Sequence, residues 1–193
     1  MKYTIALLAC LIGALLFDGC ASKPYTFHGT QLQPPMTFAD FALTNQDNHT
    51  TRLSDYRGNW LLIYFGYTHC PDECPLTLAQ FKKIHDDLKT DAARAHFVFV
   101  TVDPVRDTPE QMKVYLGQFD PSFIGLTGTP ATLNLMYRKY GVAAEANADG
   151  TPKVDHTNAM YLFDDQGQLS FIYTGIPWQD IAADLRVLLK KKV

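Results

Sequence analysis

Cys70 and Cys74 stand four positions apart in the stretch GYTHCPDECPLTLAQ, residues 66–80, each followed by a proline and the first preceded by His69. Three chemistries suit such a pair: a redox dithiol, two sulfur ligands of a metal ion, or a plain disulfide. Four residues span roughly 6 Å if helical, and a disulfide accepts Cα separations of about 4.4–6.8 Å, so the spacing permits all three. A purely structural bridge is the weakest of them. A five-residue loop restrains little of the unfolded chain, and a chain of 193 residues buries enough surface to fold without a staple.

The elements that must position the pair are readable around it. NWLLIYFGY, ending at Tyr67, is a continuous apolar run and predicts a strand buried on both faces of a central sheet. A helix follows, with Pro75 in its first turn and Leu78, Phe81, Ile84 and Leu88 on one side. HFVFVTVD, residues 96–103, predicts a second buried strand. Thr108 with Pro109, and Thr129 with Pro130, are N-cap and first-turn pairs opening two more helices, and Gly141 stops the second. Met112 and Met136 fall on the apolar stripes of those helices and so belong to the core. Upstream, FADFALTNQDNHTTRLSDYRG predicts a hairpin turning at Asn45–Asn48. Downstream, TNAMYLFDDQGQLSFIYTG predicts two strands around a turn near Asp165–Gly167, and a last helix follows Pro177. Helices between strands imply an α/β chain with a central mixed sheet and helices on both faces. A cysteine pair between the first buried strand and its helix, with a closing β-β-α, is a thioredoxin-like arrangement.

In that arrangement the cysteines lie in a loop that closes at the helix start, because each proline disfavours helix in the residue before it. Cys74 is expected at the N-cap, where backbone amides and the helix dipole would lower its pKa. The usual redox motif of this fold is C-x-x-C. The extra residue suits a wider bite, such as two thiolates on one Cu(I), or the beginning of a Cu(II) or Zn(II) site. A third ligand is then wanted. His28 is in the polar tether, His49 in a turn, His85 on a helix and His96 at a strand start, while His69, next to Cys70, points its ring elsewhere. His156, in VDHTNAMYLFD, directly precedes a strand, where thioredoxins carry a cis-proline beside the cysteine loop. An imidazole there could complete the site, with Asp155 orienting it.

The chain carries 47% hydrophobic and 19% charged residues, with a net charge of −3, so it is globular and offers no basic footprint for nucleic acid. Lys2 and the thirteen-residue apolar run Ile5–Phe17 are too short to span a bilayer, which needs about 20. They read as an export signal ending at FDGC, whose Cys20 resembles the lipidated cysteine of a lipobox. The expected organisation is a signal over residues 1–20, a polar tether over 21–36 and one domain over 37–193. The protein is expected on the extracytoplasmic side of a membrane, held by lipid at Cys20 or by the uncleaved signal. Of the four cysteines, the mature domain then keeps only Cys70 and Cys74.

YTHCPDECP, TVDPVRDTP, FDPSFIGLTG and DHTNAMYLFDDQG, in that order, resemble the SCO/SenC family, copper chaperones named for the synthesis of cytochrome c oxidase. The resemblance runs from about residue 34 to 190. It implies that Cys70, Cys74 and His156 bind one Cu(I) or Cu(II). It also implies that the client is the dinuclear CuA centre of oxidase subunit II, through copper delivery or reduction of the client's cysteines. Glu73 departs from the apolar residue common at its position. Asp103 and Asp107 match an acidic element of the family, and turn and cap chemistry is the simpler reading of both.

Two other functions use the same dithiol. A thiol-disulfide oxidoreductase would need Cys70 and Cys74 as its redox pair and be indifferent to His156. A copper or redox sensor would signal through a partner. The motif alone does not rank the three; the histidine does.

Overall fold

The computed structural model describes residues 24–37, 40–142, 144–146, 152–154 and 159–190. One eight-stranded mixed sheet runs through the domain in the order β1-β10-β9-β4-β5-β6-β2-β3. Its strands are β1 (Thr30–Met36), β2 (Ala42–Asn45), β3 (Thr50–Arg52), β4 (Trp60–Gly66), β5 (Ala95–Thr101), β6 (Ile124–Thr127), β9 (Ala159–Phe163) and β10 (Leu169–Thr174). The remaining two, β7 (Ala144–Ala146) and β8 (Pro152–Val154), form a separate antiparallel pair. The helices are α1 (Glu73–Leu88), α2 (Pro109–Gly117), α3 (Pro130–Tyr140) and α4 (Trp178–Lys190).

β4 is buried along its whole length, as its unbroken apolar run requires. It pairs in parallel with β5, and β5 in parallel with β6, while β9 runs antiparallel on the other side of β4. Alternate side chains of β4 feed two cores. Trp60, Leu62 and Tyr64 pack under α1, α2 and α4 with Leu78, Phe81, Met112, Leu116, Ile181 and Leu185. Leu61, Ile63 and Phe65 pack on the opposite face under α3 with Leu133, Met136 and Tyr137. This is the expected helix-sheet-helix layering, and Met112 and Met136 are core residues with no exposed surface.

The terminators work as read. Thr108 Oγ1 accepts the Gln111 amide and Thr129 Oγ1 the Thr132 amide, each at 3.2 Å, with Pro109 and Pro130 in the first turns. Gly141 ends α3 in the left-handed conformation at φ +68°, which glycine adopts without strain.

The segment read as a tether is largely part of the fold. Thr30–Met36 pairs antiparallel with β10 as an edge strand, and just before it the Asp184 carboxylate of α4 gathers the chain. Asp184 is fully buried and accepts the Tyr25 hydroxyl at 2.8 Å, the His28 amide at 3.0 Å and the Gly29 amide at 3.1 Å. His28 Nδ1 lies 2.8 Å from the same carboxylate. An edge strand needs little apolar patterning because it buries little, and that is why its polar, proline-bearing sequence did not announce it. The short β6 was also missed, as was the β7–β8 pair. The signal and Cys20 lie outside the described residues. Among the described residues no helix is long and apolar enough to cross a membrane.

Candidate functional site

The candidate site lies at the carboxyl end of the parallel strands, where open α/β sheets place their chemistry. β4 ends at Gly66, the cysteine loop follows, and α1 begins at Glu73 with Asp72 at the N-cap position. Cys74 is therefore the second residue of the helix and not its cap. The free helix amide of Cys74 points at the other sulfur, with Cys70 Sγ accepting it at 3.4 Å. Both cysteines are unbridged thiols.

The two thiols are unequal. Cys70 keeps 7% of its surface exposed, and Cys74 keeps none. Burial pushes the Cys74 thiol up to about 12, and the neighbouring Cys70 sulfur adds to the rise, while hydrogen bonds from the Tyr67 backbone and the Tyr64 hydroxyl oppose it. The expected depression is thus reversed. The helix-terminal stabilisation of a thiolate is a surface-strength effect, and removing a sulfur from water outweighs it.

Aromatic hydroxyls surround the pair. The Tyr64 hydroxyl donates to Cys74 Sγ at 3.6 Å. Tyr67, half-buried, has its pKa raised by burial and by both cysteines, and so does the Tyr115 phenol. Gly66 is where these groups converge. A Cβ on it would meet the Tyr64 ring and the Phe99 ring at 2.8 Å and Cys74 Sγ at 2.9 Å, so the sulfur sits where only a glycine leaves room.

The loop is held from the neighbouring strand. Asp107, in the turn after β5, is fully buried and accepts the Thr68 hydroxyl at 2.7 Å, the Thr68 amide at 3.1 Å and the Thr101 hydroxyl at 2.6 Å. This goes beyond the turn and cap role read for it. Asp103 keeps the simpler role: its carbonyl accepts the Arg106 and Asp107 amides, and its carboxylate pairs with the Arg106 guanidinium. Nothing in the VDPVRDTP stretch by itself distinguishes Asp107 from a helix-start aspartate. The distinguishing fact is that β4 and β5 are parallel neighbours, with Val102 N donating to the Gly66 carbonyl at 2.8 Å. Tyr64 and Gly66 were likewise missed, because inside an apolar run nothing sets them apart from other buried residues.

His69 turns away from the sulfurs as expected, its Nδ1 lying 3.1 Å from Thr68 Oγ1 and 3.6 Å from Asp107. His96 packs edge-on against Tyr56, and burial lowers its pKa. Two described clusters have metal-ligand composition, His69 with Asp103 and Asp107, and His85 with Asp86 and Asp120. In the first, the Asp107 oxygens are already committed to Thr68 and Thr101. In the second, Lys82 already pairs with both carboxylates. His156 and Asp155 lie outside the described residues. The register nevertheless fixes where the strand after them begins. β9 pairs antiparallel with β4, Met160 opposite Tyr64, so β9 starts at the edge where the cysteine loop leaves β4.

The chain matches the SCO1/SenC family model over residues 29–190. It is 36% identical over 139 residues to the human mitochondrial protein SCO1 homolog, an alignment covering 69% of this chain and 46% of that one. The chain therefore spans about half the length of the mitochondrial relatives it matches. Among solved structures, Bradyrhizobium japonicum ScoI with copper bound superposes with a TM-score of 0.70 at 37% identity, covering 78% of this chain and 98% of that one. The apo Sco1 protein of Thermus thermophilus superposes with a TM-score of 0.76 at 34% identity, covering 86% and 99%.

Proposed function

The chain belongs to the SCO1/SenC family, and from that premise we propose that it is an exported copper metallochaperone whose Cys70, Cys74 and His156 hold one copper ion as cargo for a cytochrome c oxidase. The observation that carries this reading is the pair of unbridged thiols sharing one loop at the carboxyl edge of β4, Cys70 the less deeply buried of the two. Solved relatives in the same fold hold copper.

The donor set fits the ion. Two sulfurs are soft ligands suited to Cu(I), and an imidazole extends the set to Cu(II). The protein's own contribution is to bring the sulfurs together, to keep Cys74 out of water, and to leave Cys70 as the side from which a partner approaches. Because Cys74 is a neutral thiol when metal-free, loading copper releases its proton, so affinity rises with pH. The client proposed is the CuA domain of oxidase subunit II. The location proposed is the extracytoplasmic face of a membrane, reached by the leader over residues 1–20 and held by lipid on Cys20.

A dedicated thiol-disulfide reductase is the second reading, favoured by the same unbridged pair. Copper titration into reduced residues 24–193, which keep every described strand and helix, separates the two. The wild type is expected to bind one copper tightly with sulfur-to-metal charge-transfer absorption, and His156→Ala to lose most of that affinity. Equal, weak binding by both would leave the reductase as the better account.

A further inference from the structure

Tyr64 aims its hydroxyl at a cysteine sulfur, 3.6 Å from Cys74 Sγ. It is 1% exposed and sits in the strand that delivers the cysteine loop. Its ring packs edge-on against Phe81 and tilted against Phe99, so the phenol is held from both sides. Gly66 leaves just enough room for the ring and the sulfur together. Thr77, also buried and one turn along α1 from Glu73, is a second hydrogen-bonding neighbour of the phenol. Cys70 has a different setting: its sulfur receives the Cys74 backbone amide at 3.4 Å, and the half-buried Tyr67 is its hydrogen-bonding phenol.

We propose that Tyr64 is a positioning residue for the chemistry of the pair: its hydroxyl, held on Cys74 Sγ, sets the electron-donating power of that sulfur. A hydrogen bond to a ligating sulfur withdraws electron density and favours the lower oxidation state of the metal. The proposal rests on the copper reading for its metal consequences, and on the geometry alone for its metal-free ones.

The test compares wild type, Tyr64→Phe and Tyr115→Phe, read in two ways. With Cu(II) bound, Tyr64→Phe is expected to move the sulfur-to-copper absorption to longer wavelength. It should also raise the ratio of Cu(II) to Cu(I) affinity by roughly tenfold, a fall of about 59 mV for a one-electron couple. In the metal-free, reduced protein at one fixed alkaline pH, where Cys74 begins to react, its alkylation, followed by peptide mass, is expected to slow severalfold, because the sulfur has lost its hydrogen-bond donor. A purely structural role predicts the opposite, since a loosened core exposes Cys74 and speeds alkylation. Unchanged absorption and potential, faster alkylation, or equal effects from Tyr115→Phe would each overturn the proposal. If no variant binds copper but alkylation of Cys74 still slows in Tyr64→Phe, the copper reading fails and the role of Tyr64 stands. Should Tyr64→Phe not fold, 3-fluorotyrosine at position 64, a stronger donor of the same shape, is expected to shift the absorption to shorter wavelength, and no shift would refute the idea.

Discussion

The Asp107 carboxylate accepts both the amide and the hydroxyl of Thr68, tying the turn after β5 to the loop that carries the cysteines. A third bond, from the Thr101 hydroxyl, anchors the carboxylate to the end of β5 itself. Asp107→Ala leaves these buried donors without an acceptor. The expected loss is about 1–3 kcal/mol of stability, measured by urea unfolding. Hydrogen exchange of the Thr68 amide is expected to accelerate well beyond that of the β5 core, together with weaker copper binding. An Asp107→Ala protein with native stability and a protected Thr68 amide would show the clamp to be incidental.

The crowding at Gly66 predicts an unusually costly small substitution. Gly66→Ala places a methyl at 2.8 Å from two aromatic rings and 2.9 Å from Cys74 Sγ. None of these groups is the free end of a flexible chain. Overpacking of this kind costs about 1–3 kcal/mol, and the displaced sulfur should weaken copper binding further than Asp107→Ala does. Thermal unfolding and copper titration of the same sample check both parts.

The unequal burial of the thiols predicts an order of reaction. In the native, reduced, metal-free protein at neutral pH, iodoacetamide is expected to modify Cys70 first and to leave Cys74 untouched. Cys74 is a buried thiol whose pKa is raised to about 12, so its thiolate fraction near neutrality is very small. Its modification should quicken only as pH climbs toward that value or when the protein unfolds. Equal labelling of the two peptides would contradict the geometry.

The N-terminal latch predicts a pH dependence with a definite sign. The hydrogen bond to Asp184 raises the His28 pKa above its ordinary value. A raised folded-state pKa gives stabilisation that is complete below the unfolded value, near 6.5, and is lost as pH rises through the folded value. Docking of residues 25–29 is therefore expected to be firmest below about pH 6.5 and to weaken above it. Limited proteolysis near Tyr25 across this range, with His28→Gln as the variant that flattens the profile, tests the direction.

Much of the scaffold was readable because its signals are local. Thr108–Pro109, Thr129–Pro130 and Gly141 cap helices through atoms within one turn of sequence, and the apolar run before Tyr67 has one natural home, between other strands. β1 was not readable, because an edge strand can be polar and still pair: its partner, β10, lies more than a hundred residues away. Nor was the thiol's protonation. A place at the helix N-cap predicts a lowered pKa, and only the complete burial of Cys74 in the core, beside Tyr64, makes burial the larger effect. Asp107 was misjudged for a related reason. Its role depends on β4 and β5 being adjacent, which is a fact of topology and not of the residues beside it.

The polar segment ahead of the hairpin turned out to be mostly strand and latch, and that changes how the protein would be moored. A lipid on Cys20, as proposed, would leave only residues 21–24 before the chain is gripped at Tyr25 by Asp184. Fully extended, that leash reaches roughly 17 Å. The domain would then ride low over the bilayer, unable to swing out in search of its client. Encounters would come by lateral drift of two membrane-bound partners, with the cysteine loop presented at nearly constant height.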